Sequence, residues 1–290
     1  MFDNIFAAIE KWMRELLTGM VESNMSTMFT DVNEKTSEIA AQVGRTPQNW
    51  NSSVFSMIQN LSESVVVPIA GIIITLVLCY ELISMLTERN NLHDVDTWMF
   101  FKYFVKAWVA IYLVSNTFTI TMAVFDVGQS VVNSASGIIN GETAIDVSSL
   151  SMQMQAAMAT MEIGELVVLA LETFLVSFCM KIMSVVITVI VYGRMIEIYL
   201  YTSLAPIPFA TISNREWGHV GTNYFRGLFA LAFQAFLMMV CVAIYAALIS
   251  SVRISSNMHS ALIGVAAYTV ILCFSLMKTG SLSKQIFGSH

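Results

Sequence analysis

Residues 107–180 read AWVAIYLVSNTFTITMAVFDVGQSVVNSASGIINGETAIDVSSLSMQMQAAMATMEIGELVVLALETFLVSFCM, without one lysine or arginine. Basic residues resume only outside it, at Lys106 and Lys181. Apolar runs flank a polar middle, 126–162, rich in Ser, Asn and Gly. Membrane insertion produces this pattern, because segments that stay inside collect Lys and Arg and segments that cross lack them. In lipid the backbone must satisfy its own hydrogen bonds, which leaves helices as the natural spanning elements for apolar runs of this length. The stretch therefore predicts an all-α, polytopic membrane protein with 126–162 as an outer loop.

The bulk numbers agree. The chain of 290 residues is 56% hydrophobic and only 12% charged, against about 25% charged in soluble domains. Its mean hydropathy is +0.70. A formal net charge of −6 supplies no basic footprint for tight nucleic-acid binding. Cys79, Cys179, Cys241 and Cys273 lie in apolar runs without CxxC or His/Cys spacing and read as small core residues. The twenty methionines read as fillers of irregular helix contacts. The start, MFDNIFAAIEKWMRE, has neither a basic opening nor a continuous apolar run, so a cleavable signal peptide is not expected.

Residues 1–64 form an amphipathic helical segment. Phe2, Ile5, Phe6, Ile9, Trp12, Met13, Leu16, Leu17 and Met20 recur at helical spacing, suited to the headgroup region or to a partner subunit. A second pattern runs through Met28, Phe29, Val32, Ile39 and Val43 until Gly44 and Pro47 interrupt it. Thr46-Pro47 reads as an N-cap followed by Pro at the first helical position.

The main domain, 65–277, holds the spans, expected at 65–86, 101–125, 163–205, 225–249 and 261–277; a polar tail, 278–290, follows. Lys102 and Lys106 open the second span and are expected to snorkel to the interface. The third region is long: as one helix it would reach about 64 Å, against roughly 30 Å of hydrocarbon. It is therefore either one helix leaving the membrane or a hairpin turning near Lys181, which would make six spans. One helix places Arg215, Arg226, Lys278 and Lys284 on the basic side with Arg89, and leaves as exceptions Arg253 and the N-terminal Lys11, Arg14, Lys35 and Arg45, which must be translocated. Charge thus favours five spans with an extracytoplasmic N-terminal segment and the C-terminus inside. No internal repeat points to an inverted-repeat transporter.

Ionisable residues within spans are functional candidates. Here they are Glu81, Glu165, Glu172, Lys181, Arg194 and Glu197. Arg194 and Glu197 are three apart and can pair on one helix face. Glu165 is expected at the interface, and Lys181, if it lies at mid-bilayer, needs a partner from another helix or subunit. No HExxH, GxSxG, P-loop or CxxC motif appears, and His93, His219, His259 and His290 are isolated, mostly in loops. No catalytic residue, metal ligand or cofactor is expected.

The most specific segment, 193–234, reads GRMIEIYLYTSLAPIPFATISNREWGHVGTNYFRGLFALAFQ. Ala205-Pro206-Ile207-Pro208 must break a helix, so the piece belongs at the interface or inside protein. Trp217, Tyr224 and Arg226 form an interfacial anchor set, and Gly218, Gly221 and Gly227 allow close approach. Gln234 is placed to hydrogen-bond across helices within an oligomer.

On Gly193-Arg194, Glu197, Ala205-Pro206-Ile207-Pro208, Trp217, Gly221, Tyr224, Arg226 and Gln234, the segment resembles the TrbL-like polytopic channel components of type IV secretion and conjugation systems. The order of spans and the N-terminal helical segment extend the resemblance over about residues 50–280. It implies an inner-membrane scaffold or channel subunit that forms a homo-oligomer and contacts energising ATPases and other secretion subunits. The cargo it implies is single-stranded DNA bound to a relaxase, or protein. The alternative is a small-solute or ion transporter, which would move its solute without partners.

Overall fold

The computed structural model describes residues 2–87, 97–139, 147–251 and 258–289. Residues 88–96, between the first two expected spans and carrying Arg89 and His93, lie outside the described residues, as do Arg253 and His290. Among the described residues the ordered elements are helices: α1 Phe2–Val43, α2 Pro47–Trp50, α3 Ser52–Leu61, a π turn Ser62–Val66, α4 Val67–Thr87, α5 Thr97–Ser115, α6 Thr117–Ile139, α7 Val147–Met158, α8 Ile163–Ser203, α9 Pro206–Thr211, α10 Gly218–Ser250 and α11 Met258–Ile286. Five of the described helical stretches are long and apolar enough to cross a membrane: Ser52–Thr87, α5, α8, α10 and α11. The protein is all-α and polytopic.

Local causes shape the first two spans. Pro68 lacks an amide donor, and its ring crowds the carbonyl four residues back. The chain meets this with the π turn just before it, in which the Val67 amide reaches the Ser62 carbonyl, so one helical rod runs from Ser52 to Thr87. The second span is shorter than expected. It closes at Ser115, with a turn at Asn116. There Asn116 Nδ2 bonds the Tyr112 carbonyl at 2.9 Å, while the Thr117 and Thr121 hydroxyls bond carbonyls of the preceding turn at 2.8 Å. Side chains that hydrogen-bond back to the main chain in this way bend helices.

The third region is one unbroken helix of 41 residues, α8, so the hairpin at Lys181, and with it the six-span alternative, is not formed. No Gly or Pro lies between Glu165 and Gly193 to allow a turn. The polar stretch 126–162, expected as a loop, holds the second half of α6 and all of α7. The C-terminal stretch, expected as a polar tail, continues α11 to Ile286.

The chain divides into two compact units. The first comprises residues up to Val43, Ser134–Val191 and Met238–Lys278. In it α1 runs parallel to α8: Arg14 donates to the Met161 carbonyl, Asn24 to Thr173, and Lys35 to Thr188. The inner face of α1 is Val21, Met25, Met28, Phe29, Val32, Ile39 and Val43, all buried. The two apolar patterns of the N-terminal segment thus belong to one helix with different fates: Ile5, Phe6, Ile9, Trp12, Leu16 and Met20 stay exposed.

The second unit comprises Gly44–Asn133, Tyr192–Leu237 and Thr279–His290. Its main core is Ala70, Ile74 and Leu78 of α4, Ala110 and Val114 of α5, Ala205, Phe209 and Ala210 at α9, and Tyr224 of α10. The expected cap is present: Thr46 accepts from the Asn49 amide, with Pro47 first in α2. Trp50 then packs edge-on against Tyr192, and the Tyr199 hydroxyl bonds the Pro47 carbonyl at 2.6 Å.

Candidate functional site

The second unit gathers most of the sequence-predicted positions around a reversal of the chain. Helix α8 stops at Ser203, and Pro206 opens α9 as its first residue. The missing proline amide is harmless in a first turn, where amides have no intrahelical acceptor. The broken backbone is buried in protein: Ala205 and Ala210 are fully buried, and Phe209 packs against Tyr224 and Phe225. Lipid would not tolerate such a break on its surface.

Helix α10 returns antiparallel to the end of α8. A Cβ at Gly221 would stand 2.6 Å from the Pro208 carbonyl oxygen and against the Ile212 side chain. One at Gly227 would strike the Tyr201 phenol. The Tyr201 and Tyr224 rings stack at 4.5 Å. Tyr224 is therefore a buried brace between α8 and α10 and not an interfacial anchor, because its hydroxyl finds the Tyr201 carbonyl inside the protein. Trp217 and Arg226 do stay exposed.

Arg194 and Glu197 share a helix but do not pair. Arg194 turns inward, 6% exposed, and its guanidinium reaches the Leu231 carbonyl at 3.4 Å, leaving Nε without a partner. Glu197 turns outward to Lys284 at 3.0 Å. Three residues advance a helix by about 300°, so the two side chains diverge once each has a better partner. Gln234 donates to Thr279 Oγ1 of α11 at 3.4 Å, so its cross-helix bond lies within the chain; its Oε1 is buried without a partner. Ser283 adds a 2.6 Å bond to the Ala230 carbonyl. These contacts place the C-terminal end of α11 against α10 and α8.

Glu81 is the best-connected of the intramembrane acids. It is buried, with one carboxylate oxygen 2.5 Å from Lys106 Nζ and the other 3.4 Å from Asn214 Nδ2. Lys106 therefore does not snorkel: an acid one helix away offers it a closer partner than water. Asn214 was invisible in the sequence. Its Oδ1 accepts from the Glu216 and Trp217 amides at 2.8 and 2.9 Å, fixing the turn into α10 while its amide holds Glu81. Tyr80 then stacks on Trp217 at 5.6 Å and donates to Glu216.

In the first unit, Glu172 pairs with His259, which opens α11 and does not sit in a loop. Nothing in the spacing announced this, since the partners are 87 residues apart. Glu165 accepts from the Glu162 amide and so caps the start of α8. Lys181 is exposed on α8. No group of three or more His, Cys, Asp or Glu among the described residues lies close enough to hold a metal ion.

The arrangement is a set of polar braces inside an apolar helical body. No curated protein and no solved structure matches the chain. The TrbL/VirB6 plasmid conjugal transfer like protein family, however, matches residues 32–206, from the buried half of α1 through the first proline of α9. The match covers more than half of the chain, agrees with the helical, multi-span architecture, and reaches the segment 193–234 that carried the resemblance only as far as Pro206; this chain belongs to the TrbL/VirB6 plasmid conjugal transfer-like family.

Proposed function

We propose that the protein is a scaffold subunit of a conjugative type IV secretion system, embedded in the bacterial inner membrane. In this reading it forms part of the path for a relaxase-bound DNA strand or a protein. The observation that carries it is the family match over residues 32–206. Such a subunit performs no covalent chemistry. It holds a route through the bilayer, and ATPases among its partners drive movement.

Two features support the reading. Apolar side chains are exposed along α8, among them Leu171, Phe174, Phe178, Val185 and Val189, a surface suited to lipid or to further copies of the chain. The segment around α9 is a rigid reversal held by α4, α5 and α10, suited to an inner-face contact with a partner subunit.

The test is conjugative transfer from a donor that lacks the gene but retains the neighbouring transfer proteins. Loss of transfer, restored by the wild-type gene, is expected. Undiminished transfer would overturn the reading, and solute uptake by the purified chain in liposomes would replace it with a transporter.

A further inference from the structure

We propose that the C-terminal end of α11 is a strap that docks on α8 and α10 and lifts from them, with Glu197 exchanging partners as it moves: Lys284 while the strap is docked, Arg194 once it has lifted. Every group involved belongs to the second unit. Polar contacts and one aromatic ring hold the docked strap. Ser283 donates to the Ala230 carbonyl at 2.6 Å, Gln234 donates to Thr279 at 3.4 Å, and Lys284 meets Glu197 at 3.0 Å. The Phe287 ring lies 6.3 Å from that of Phe229 and 5.4 Å from that of Phe233. Lifting therefore bares Phe229 and Phe233.

The docked arrangement leaves a charge unmet. The Arg194 guanidinium has the Leu231 carbonyl and the Met195 sulfur beside it, and no carboxylate pairs with it among the described residues. Its Nε is buried without a partner, as is Gln234 Oε1 on the α10 face that the strap covers. A buried charge without a counter-charge is costly. Arginine cannot relieve that cost by losing its proton. The counter-charge within reach is Glu197, three residues along the same helix, a spacing at which side chains can pair. Lys284 draws it away through a pair that is 45% exposed on both sides. Exposed pairs hold weakly, so this one is readily given up. The two states thus compete for one carboxylate. Gly280 supplies the place to bend, because glycine is among the weakest helix formers and here sits inside α11, close against Gln234.

The test is pulsed electron resonance on the full chain in nanodiscs. Spin labels are carried by Asn223→Cys on α10 and Gln285→Cys on the strap, both at exposed positions, with the four native cysteines replaced. Lys284→Gln is expected to raise the lifted, long-distance fraction about twofold to fivefold, the worth of an exposed ion pair. Adding Arg194→Met to that chain is expected to return the fraction to the wild-type level or below, because the lifted state then has no pair to form. In a Glu197→Gln chain neither substitution is expected to shift the distribution, since no carboxylate is left to exchange. Methionine fills a similar volume without the charge, so the Arg194 variant is expected to fold, and thermal unfolding checks it. Should it fail to fold, the effect of Lys284→Gln with and without Glu197→Gln decides. One short distance in the wild type and in Lys284→Gln alike would show a fixed strap and overturn the proposal. Further lifting on Arg194→Met would make Arg194 a holder of the docked strap and overturn the exchange. Shifts that persist in the Glu197→Gln chain would overturn it equally.

Discussion

Tyr224 donates its phenol to the main-chain carbonyl of Tyr201 at 2.8 Å, and Tyr201 donates to the carbonyl of Tyr224 at 3.1 Å. The pair locks the end of α8 to the start of α10 by two long-range bonds that use no charge. Interhelical hydrogen bonds of membrane proteins contribute about 0.6 kcal/mol each. Tyr201→Phe and Tyr224→Phe are each expected to lower the melting temperature in detergent by about 1–3 °C, and the double variant by less than the sum, since the bonds share one stacked geometry. Strict additivity would show that the two bonds act independently.

Gly221 and Gly264 should respond oppositely to alanine. At Gly221 the new methyl meets the Pro208 carbonyl and Ile212, while at Gly264 it meets nothing within 4 Å. Gly221→Ala is expected to cost about 1–3 kcal/mol through overpacking. Gly264→Ala, in the middle of α11, is expected to be neutral or stabilising by up to about 1 kcal/mol. Thermal unfolding of the two purified variants decides it; equal effects would mean that α9 and α10 do not approach closely.

Glu81 and Lys106 form an ion pair with a buried carboxylate, 9% exposed, and a half-exposed lysine, 37% exposed. Lys106→Met leaves Glu81 with Asn214 alone and is expected to destabilise by about 1–3 kcal/mol, below the loss for a fully buried pair. The exchanged pair, Glu81→Lys with Lys106→Glu, should recover part of this. Size-exclusion profiles and melting temperatures report the outcome, and a Lys106→Met protein as stable as wild type would remove the pair from the stabilising contacts.

Pro206 and Pro208 end α8 and shape α9. Replacing both by alanine lets the helix continue beyond Ser203 and draws Phe209 out of its core with Ala70 and Ala110. Conjugative transfer is expected to fall at least tenfold while the protein still inserts. Normal transfer by the double variant would exclude a role for this reversal in the machine.

Asn24 and Thr173 are in contact at 3.5 Å where α1 runs beside α8. With the four native cysteines replaced, Asn24→Cys and Thr173→Cys should cross-link within one chain through a short bismaleimide. Phe6→Cys, whose parent side chain is 68% exposed, should instead react freely with a bulky thiol reagent. Absence of the cross-link, with both cysteines reactive, would show that α1 stands off α8.

The architecture was legible because its causes are local in the chain. Apolar runs of sufficient length are enough to require spanning helices, while the continuity of the third one, favoured by charge over a hairpin at Lys181, was decided by the structure. Thr46-Pro47 and Ala205-Pro206 act within one turn, so the start of α2 and the break after α8 are where sequence reading puts them. Family kinship was expected from the segment 193–234, and the family match reaches that segment as far as Pro206.

Partner choice was not legible, because it depends on which side chains the packing brings within about 3 Å. Arg194 had Glu197 one turn away, yet Arg194 meets Leu231 and Glu197 meets Lys284. His259 looked isolated until α11 lay beside α8 and brought it to Glu172. The apolar patterns of α1 look alike in sequence, and only the neighbourhood of α8 buries one and leaves the other exposed. Sequence by itself determined the apolar spans and the breaks at Pro47 and Pro206, since a lipid environment and backbone hydrogen bonding act on each segment separately, but not α7, the bend at Asn116 or the extension of α11 to Ile286. Tertiary structure alone decided which polar groups pair and which glycines are closely approached, because those depend on distances between residues remote in the chain.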